Sequence, residues 1–249
     1  MIAIEYGKEH RETIILLHGG GLSWWSCRSA AEILEKRYHV VIPILDGHAG
    51  SDRDFSDIES AAGEILSYID ENCHGTVPLI GGLSLGGQIL TEMLARKSDV
   101  CQCALIESAL AEPMRLTHLL VKPMLDASFG LIRRKWFARL QFRSLRLKED
   151  LFDEYFRDTC RITKANMTAF LKANSDYRAK NDLKNCRARA YIFVGQRESA
   201  QIIRSAHTLN RLLPESTLEI LPGFHHGEFS ICHAQEYAHR IIQMLDNRL

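Results

Sequence analysis

The sequence alternates between short apolar runs and longer amphipathic stretches, and this alternation constrains the fold more than any other feature. Each apolar run is nearly continuous, as expected for strands of a parallel sheet that is covered on both faces. The predicted strands are 2–5, 13–17, 39–44, 77–81, 103–107, 190–195 and 217–221, and the predicted helices are 26–37, 57–73, 86–97, 200–213 and 233–247. This order predicts a mostly parallel, doubly wound α/β sheet.

Residues 111–184 interrupt the alternation, because they contain helical patterns and no strand pattern. Between 135 and 151 the apolar and basic residues are expected on different faces of a helix. The apolar set is Trp136, Leu140, Leu147 and Leu151, and the basic set is Lys135, Arg139, Arg143 and Arg146. The segment is rich in large apolar residues, which is untypical of a linker. We therefore predict a helical cap over 111–184, inserted into a core formed by 1–110 and 185–249.

Four glycines surround a single serine in the stretch IGGLSLGGQIL, residues 80–90. Ser84 follows a predicted strand and precedes a predicted helix within the pattern G-x-S-x-G. Glycines are needed there if the strand and helix backbones pass close to a sharp turn. Such a turn would expose the serine hydroxyl at the carboxyl edge of the sheet, beside free N–H groups of the helix N-terminus. Glycine-rich turns of this kind also bind phosphates, so the motif alone leaves both possibilities open.

Three further motifs follow the ends of predicted strands. His18 and the three glycines after it can point main-chain N–H groups at an oxyanion, or they form a flexible loop. Glu198 can orient a histidine, or it is a surface residue that caps the next helix. His225 and His226 follow the strand 217–221, and one of them can act as a general base. Glu107, at the end of the strand 103–107, is the alternative carboxylate.

Taken together, these motifs resemble those of the α/β-hydrolase superfamily across nearly the whole chain. The order Ser84, Glu198, His226 matches that family's order of nucleophile, acid and histidine. LLHGGG at 16–21 resembles its oxyanion loop, and LDGHAGSD at 45–52 partly matches its D-x-x-G-x-G-x-S turn. The resemblance implies an α/β-hydrolase fold with a helical cap inserted before the acid-bearing strand.

The resemblance also implies roles for individual residues. Ser84 would be the nucleophile, His226 rather than His225 the base, and Glu198 the acid. The N–H groups of Leu85 and Gly20 would form the oxyanion hole, with Gly21 as an alternative to Gly20. The implied activity is that of a serine hydrolase that cleaves a small ester or related acyl substrate through an acyl-enzyme. The alternatives are a lyase that uses the same triad on a carboxylated substrate in a basic pocket, and a ligand-binding sensor.

Composition narrows the expected partners and location. The formal net charge is zero, which does not favour nucleic acid as a partner. The seven cysteines are scattered without C-x-x-C, and no signal peptide or membrane-spanning run is evident. We therefore expect a cytoplasmic enzyme for a small-molecule substrate. No cofactor is expected, and the absence of H-E-x-x-H makes a metal site unexpected as well.

The basic run from Arg133 to Lys148 is either a solvated helix face or an attraction site for an anionic substrate or membrane surface.

Overall fold

A seven-stranded sheet forms the centre of the molecule in a computed structural model that describes residues 1–247. The strands are β1 (Ala3–Tyr6), β2 (Thr13–Leu17), β3 (His39–Pro43), β4 (Val77–Leu83), β5 (Cys101–Glu107), β6 (Arg189–Gly195) and β7 (Ser216–Leu221). Their order across the sheet is β1-β3-β2-β4-β5-β6-β7, and only β1 is antiparallel to its neighbour. The predicted mostly parallel α/β sheet is thus confirmed, strand by strand.

Within residues 1–247 there are ten α-helices, of which eight lie between strands and two follow β7. They are α1 (Trp25–Leu34), α2 (Ile58–Asn72), α3 (Leu85–Arg96), α4 (Arg115–Ile132), α5 (Lys135–Ser144), α6 (Phe152–Thr159), α7 (Lys164–Asp176), α8 (Ala200–Leu212), α9 (Glu228–Cys232) and α10 (Ala234–Asp246). The predicted helix 233–247 is preceded by the short α9, which the sequence pattern did not reveal. Residues 248 and 249 of the predicted core lie outside the described residues.

Alternating side chains of each central strand fill two separate cores. In β2, Ile14 and Leu16 belong to the core beneath α1 and α10, whereas Ile15 and Leu17 belong to the core beneath α2, α3 and α8. Successive side chains of a strand point to opposite faces of a sheet. Burial on both faces explains why the strands are continuously apolar in sequence.

The four helices α4 to α7 lie between β5 and β6, where the sequence predicts the inserted cap, and residues 111–184 contain no strand. Hydrogen bonds tie α6 to α1: Trp25 Nε1 donates to Asp158 at 3.0 Å, and Arg28 binds both carboxylate oxygens of Glu154. Phe142 of α5 packs in one cluster with Leu83 at the end of β4. These contacts place the segment over the carboxyl end of the sheet.

The prediction of one helix over 135–151 with an apolar face and a basic face is wrong. Helix α5 ends at Ser144, and Arg146 adopts a positive φ of 54°. That conformation lies outside the right-handed helical region and breaks the helix. Within α5 the buried residues are Ala138 and Phe142, whereas Trp136 faces solvent. Trp136 and Leu140 therefore do not form the buried side of α5.

Candidate active site

Ser84 alone makes the turn from β4 to α3, with φ 52° and ψ −111°. A positive φ is uncommon for a residue with a side chain and costs on the order of 1–3 kcal/mol. Two main-chain hydrogen bonds hold the turn: Ser84 N–H donates to the carbonyl of Glu107 at 2.8 Å, and its carbonyl accepts from Gln88 N–H at 2.9 Å. The main chain of the half-buried serine is consequently held in place at the carboxyl edge of the sheet.

The glycines around Ser84 are required by close backbone approaches. A Cβ atom at Gly82 would lie 2.5 Å from the carbonyl oxygen of Gly86, and one at Gly86 would lie 2.4 Å from that of Leu17. Neither obstacle is a side chain that could move aside. Strand β4, helix α3 and the end of β2 can therefore meet at this turn only without side chains at these positions, which explains the glycine pattern in the sequence.

Glu198 and His226 form a hydrogen-bonded pair beyond the ends of β6 and β7. Glu198 Oε2 lies 2.7 Å from His226 Nδ1. Its other oxygen, Oε1, accepts hydrogen bonds from Ser108 Oγ at 2.7 Å and from the Gly195 N–H at 2.8 Å. The Glu198 side chain is fully buried, whereas that of His226 is 42% exposed. The carboxylate is thus held by three donors, and the imidazole faces the accessible side.

The charge state of Glu198 follows from these contacts. Burial by itself would raise its pKa, but the hydrogen bonds from His226, Ser108 and the Gly195 amide outweigh burial and lower the pKa below its usual value. An ionised carboxylate can only accept hydrogen bonds, so Nδ1 of His226 carries the proton. Nε2 is then the basic nitrogen, which is the tautomer that a general base needs.

A close approach of two loops brings the pair together. A Cβ atom at Gly195 would lie 2.4 Å from the carbonyl oxygen of Phe224. Arg197 N–H also donates to that carbonyl at 2.9 Å. The loop after β6 therefore rests directly on the loop after β7, and a side chain at Gly195 would separate Glu198 from His226.

The two alternative residues are placed differently. Glu107 Oε1 accepts one hydrogen bond, from Ser230 N–H at 3.3 Å, and Oε2 has no partner within residues 1–247. Burial raises the pKa of Glu107 to about 7. The main chain of His225 donates to Glu228, and its buried Nε2 has no partner in the described chain. Neither residue shares the Glu198–His226 hydrogen bond.

The loop after β2 supplies main-chain N–H groups opposite the serine. Gly21 N–H donates to His48 Nε2 at 3.0 Å and is therefore already engaged. By contrast, the N–H groups of Gly20 and Leu85 have no acceptor among residues 1–247. Leu85 is the first residue of α3, where the helix dipole is positive. Both of these N–H groups are thus available to a ligand.

Two buried histidines support this loop in their neutral forms. His48 Nδ1 lies 3.0 Å from the carbonyl of Asp46, so it donates there while Nε2 accepts from Gly21. Its ring stacks on Phe170 at 4.6 Å. Burial lowers the pKa of His48 to about 4, and burial together with His48 lowers that of His18 to about 3. His48 therefore stays an acceptor for Gly21 at neutral pH.

A cavity of about 230 Å³ joins these groups under the helical segment. Ser84, His226, Gly20 and Gly21 line it on the sheet side. The helical segment contributes Ile132, Gln141, Leu145, Leu147, Tyr155, Thr159, Met167, Phe170 and Leu171. None of the lining side chains identified within residues 1–247 is Lys, Arg, Asp or Glu. The cavity is thus apolar, and among its described lining residues only the imidazole of His226 can carry a charge.

Sequence reasoning missed Ser108 and His48. Ser108 has a positive φ of 56°, and besides donating to Glu198 its Oγ accepts from Gly227 N–H at 3.4 Å. It directly follows β5, so its position at the carboxyl edge of the sheet was an available signal. His48 lies within the LDGHAGSD turn, but only the folded chain shows that it reaches Gly21.

Comparison with known proteins identifies the family. A model of the alpha/beta hydrolase family matches residues 14–238. No curated protein matches the sequence significantly.

Solved structures share the fold over almost the entire chain. A thermophilic esterase from Thermogutta terrifontis, in a malate-bound structure, has a TM-score of 0.80 at 15% identity, over 99% of this chain and 93% of that one. MenH from S. aureus has a TM-score of 0.78 at 16% identity, over 99% of this chain and 98% of that one. The enol-lactonase from Burkholderia xenovorans LB400 has a TM-score of 0.75 at 14% identity, over 98% of this chain and 96% of that one. At these identities the likeness concerns the fold alone.

Proposed function

The chain belongs to the alpha/beta hydrolase family, and from this premise we propose that it is a serine hydrolase that cleaves small, uncharged carboxylic esters through an acyl-enzyme. The observation that carries the proposal is the 2.7 Å hydrogen bond between Glu198 and His226, with His226 lining the same cavity as Ser84. A pure ligand-binding protein has no chemical need for an oriented, basic imidazole beside a strained serine. The helical segment 111–184 would act as the cap.

The reaction uses groups already described. Ser84 Oγ attacks the ester carbonyl carbon while His226 Nε2 takes its proton. The N–H groups of Gly20 and Leu85 stabilise the oxyanion of the tetrahedral intermediate. The C–O bond to the alcohol then breaks, and His226 gives its proton to the departing oxygen. Water, deprotonated by His226, then attacks the acyl carbon. The bond from that carbon to Ser84 Oγ breaks, the acid leaves, and His226 returns the proton to Oγ, while Glu198 stabilises the transient imidazolium.

The cavity wall supports an uncharged, compact substrate. Its volume of about 230 Å³ is below the roughly 300–1,000 Å³ of sites for drug-sized ligands. A carboxylated substrate would leave its charge without a cationic partner there, because the lining found in residues 1–247 contains no Lys or Arg. This speaks against the lyase alternative, which needs a basic pocket. Among the structural neighbours, the esterase and the enol-lactonase have names that are consistent with acyl chemistry.

A labelling experiment combined with a substrate panel tests the proposal. A fluorophosphonate probe should label the wild-type protein, and peptide mapping should place the label on Ser84. A panel of p-nitrophenyl esters of graded acyl length should show turnover that falls once the acyl chain exceeds the cavity. Carboxylated esters of equal length should be poor substrates. A folded protein that is neither labelled nor active on any ester, thioester or lactone of the panel would refute the proposal.

A further inference from the structure

Helix α4 is apolar on the face that points away from the protein. Its buried side consists of Val121, Leu125 and Ile132, which pack into the core. The opposite side carries Leu116, Leu119, Leu120, Pro123, Met124, Ala127 and Leu131, all of them exposed. Leu116 and Leu119 are 71% and 70% exposed. A surface helix normally places polar residues outward, and a helix that is apolar all round is normally buried.

Helix α5 continues this exposed apolar surface. Trp136 and Leu140 are 65% and 62% exposed, whereas Ala138 and Phe142 on the opposite side are fully buried. Of the eleven large hydrophobic residues that are exposed within residues 1–247, eight lie between 116 and 145. Singly scattered apolar side chains are ordinary on a protein surface, but such concentration marks an interaction site. We call the outward sides of α4 and α5 the α4–α5 face.

The same segment is strongly basic. From Arg115 to Lys148 the sequence has nine Lys and Arg residues and a single acidic residue, Asp126. Asp126 is paired with Lys122 and Lys164, and Arg139 with Glu149. No acidic group within residues 1–247 lies within ion-pair distance of Arg133, Arg134, Arg143 or Arg146. Since the formal net charge of the whole chain is zero, the rest of the sequence carries a compensating excess of acidic residues.

We propose that the α4–α5 face docks on an anionic lipid bilayer. Such a surface supplies hydrocarbon for the Leu, Met and Trp side chains and negatively charged headgroups for the flanking Arg and Lys. Exposed Trp136 between basic residues is typical of side chains at a membrane interface. A second copy of the chain fits poorly, because pairing this face with itself would bring two strongly basic segments together. A bilayer also accepts a convex helical surface without a matching groove.

Docking would bring the cavity close to the lipid. Ile132 at the end of α4 and Gln141 in α5 line the cavity that contains Ser84, on the inner side of the same two helices. An apolar substrate dissolved in the bilayer would therefore enter beside the docked helices. The binding itself does not depend on the proposed esterase chemistry and can be measured with an inactive protein.

Trp136 is a built-in reporter for the test. The other two tryptophans are shielded, since Trp25 is buried and Trp24 is half-buried. Vesicles of phosphatidylcholine with phosphatidylglycerol should shift the tryptophan emission to shorter wavelength and should carry the full chain into the pellet on centrifugation. Vesicles of phosphatidylcholine alone should do neither. Trp136→Phe should remove the shift, and added salt should release the protein.

Two sets of variants separate the apolar from the basic contribution. Leu116→Ser with Leu119→Ser and Met124→Ser removes apolar contact, and Arg134→Gln with Arg143→Gln removes charge; neither set touches the cavity. Each should weaken partitioning into anionic vesicles roughly tenfold or more. There are two controls at exposed positions outside the helical segment 111–184. Ile220→Ser matches the apolar set, and Arg204→Gln with Arg211→Gln matches the basic set; both should bind like the wild type.

Three results would overturn the proposal. The first is that the folded wild type fails to bind anionic vesicles, or binds neutral vesicles equally well. The second is that both variant sets, with circular dichroism spectra like the wild type's, bind anionic vesicles as the wild type does. The third is a concentration-dependent dimer in analytical ultracentrifugation that the serine variants abolish, which would assign the face to a second copy of the chain.

Discussion

Glu198 holds the imidazole of His226 through a 2.7 Å hydrogen bond, whereas Glu107 makes no hydrogen bond to that histidine. Glu198→Gln should therefore lower kcat on a p-nitrophenyl ester by on the order of a thousandfold or more and leave KM nearly unchanged, because an amide can stabilise the wrong histidine tautomer. Glu107→Gln should cost much less. Steady-state kinetics of the two folded variants measure the difference, and the reverse ranking would assign the acid to Glu107.

The nucleophile is tested by removing one oxygen atom. Ser84→Ala should lower ester hydrolysis by on the order of a thousandfold or more, because attack on the carbonyl carbon is lost while the remaining groups persist. Thermal unfolding should show an intact fold. Ser67→Ala, on the exposed side of α2, is the matched control and should hydrolyse at the wild-type rate. Hydrolysis by Ser84→Ala at the wild-type rate would exclude the proposed mechanism.

The sheet could be predicted from sequence because a strand buried on both faces leaves a continuous apolar run, and all seven runs became strands. The positions of Ser84, Glu198 and His226 past strand ends were also visible, since parallel strands gather such residues at one edge. That is why the three share one region of the molecule without being near in sequence.

What could not be predicted depends on how loops and helices pack. The family resemblance pointed to Glu198 instead of Glu107. The contact of the 195–198 loop with the carbonyl of Phe224, which brings Glu198 to His226, is encoded by no local pattern. Periodicity placed Trp136 and Leu140 on one helical face with Leu147 and Leu151, but α5 ends at Ser144, before the last two of these residues. In α5, Trp136 and Leu140 lie outward, whereas Ala138 and Phe142 lie inward. Hydrophobicity indicates that a face needs a partner, and it does not indicate which partner.

The buried carboxyl of Glu107 predicts a pH dependence of stability. Its pKa is raised from 4.5 to about 7 in the folded protein. Between these values the folded state binds more protons than the unfolded state, so the free energy of unfolding falls as pH rises, by up to about 3 kcal/mol. Glu107→Gln removes this contribution. Urea unfolding at pH 5 and pH 8 should therefore show a smaller loss of stability with rising pH in the variant.

Titrating groups that do not interact with Glu107, such as His48 and His18, contribute equally to the wild type and to Glu107→Gln and cancel in the difference between the two proteins. An exposed glutamate, Glu71→Gln, serves as the control and should follow the wild type. Equal changes between pH 5 and pH 8 in the wild type and in Glu107→Gln would contradict the raised pKa.

His48 is expected to position the oxyanion loop, because its Nε2 accepts the Gly21 N–H at 3.0 Å while the adjacent Gly20 N–H stays free. His48→Phe keeps a ring that can stack on Phe170 but leaves the Gly21 donor unpaired, which costs about 1–3 kcal/mol. We expect kcat to fall roughly tenfold to a hundredfold, with little change in KM. His48→Gln, whose amide oxygen can accept the same hydrogen bond, should recover part of the loss.

Because the pKa of His48 is about 4, the ratio of wild-type to His48→Phe activity should stay constant from pH 6 to pH 9. A ratio that changes across this range, or equal losses in the two variants, would show that His48 acts through its charge or its bulk instead of through the hydrogen bond to Gly21.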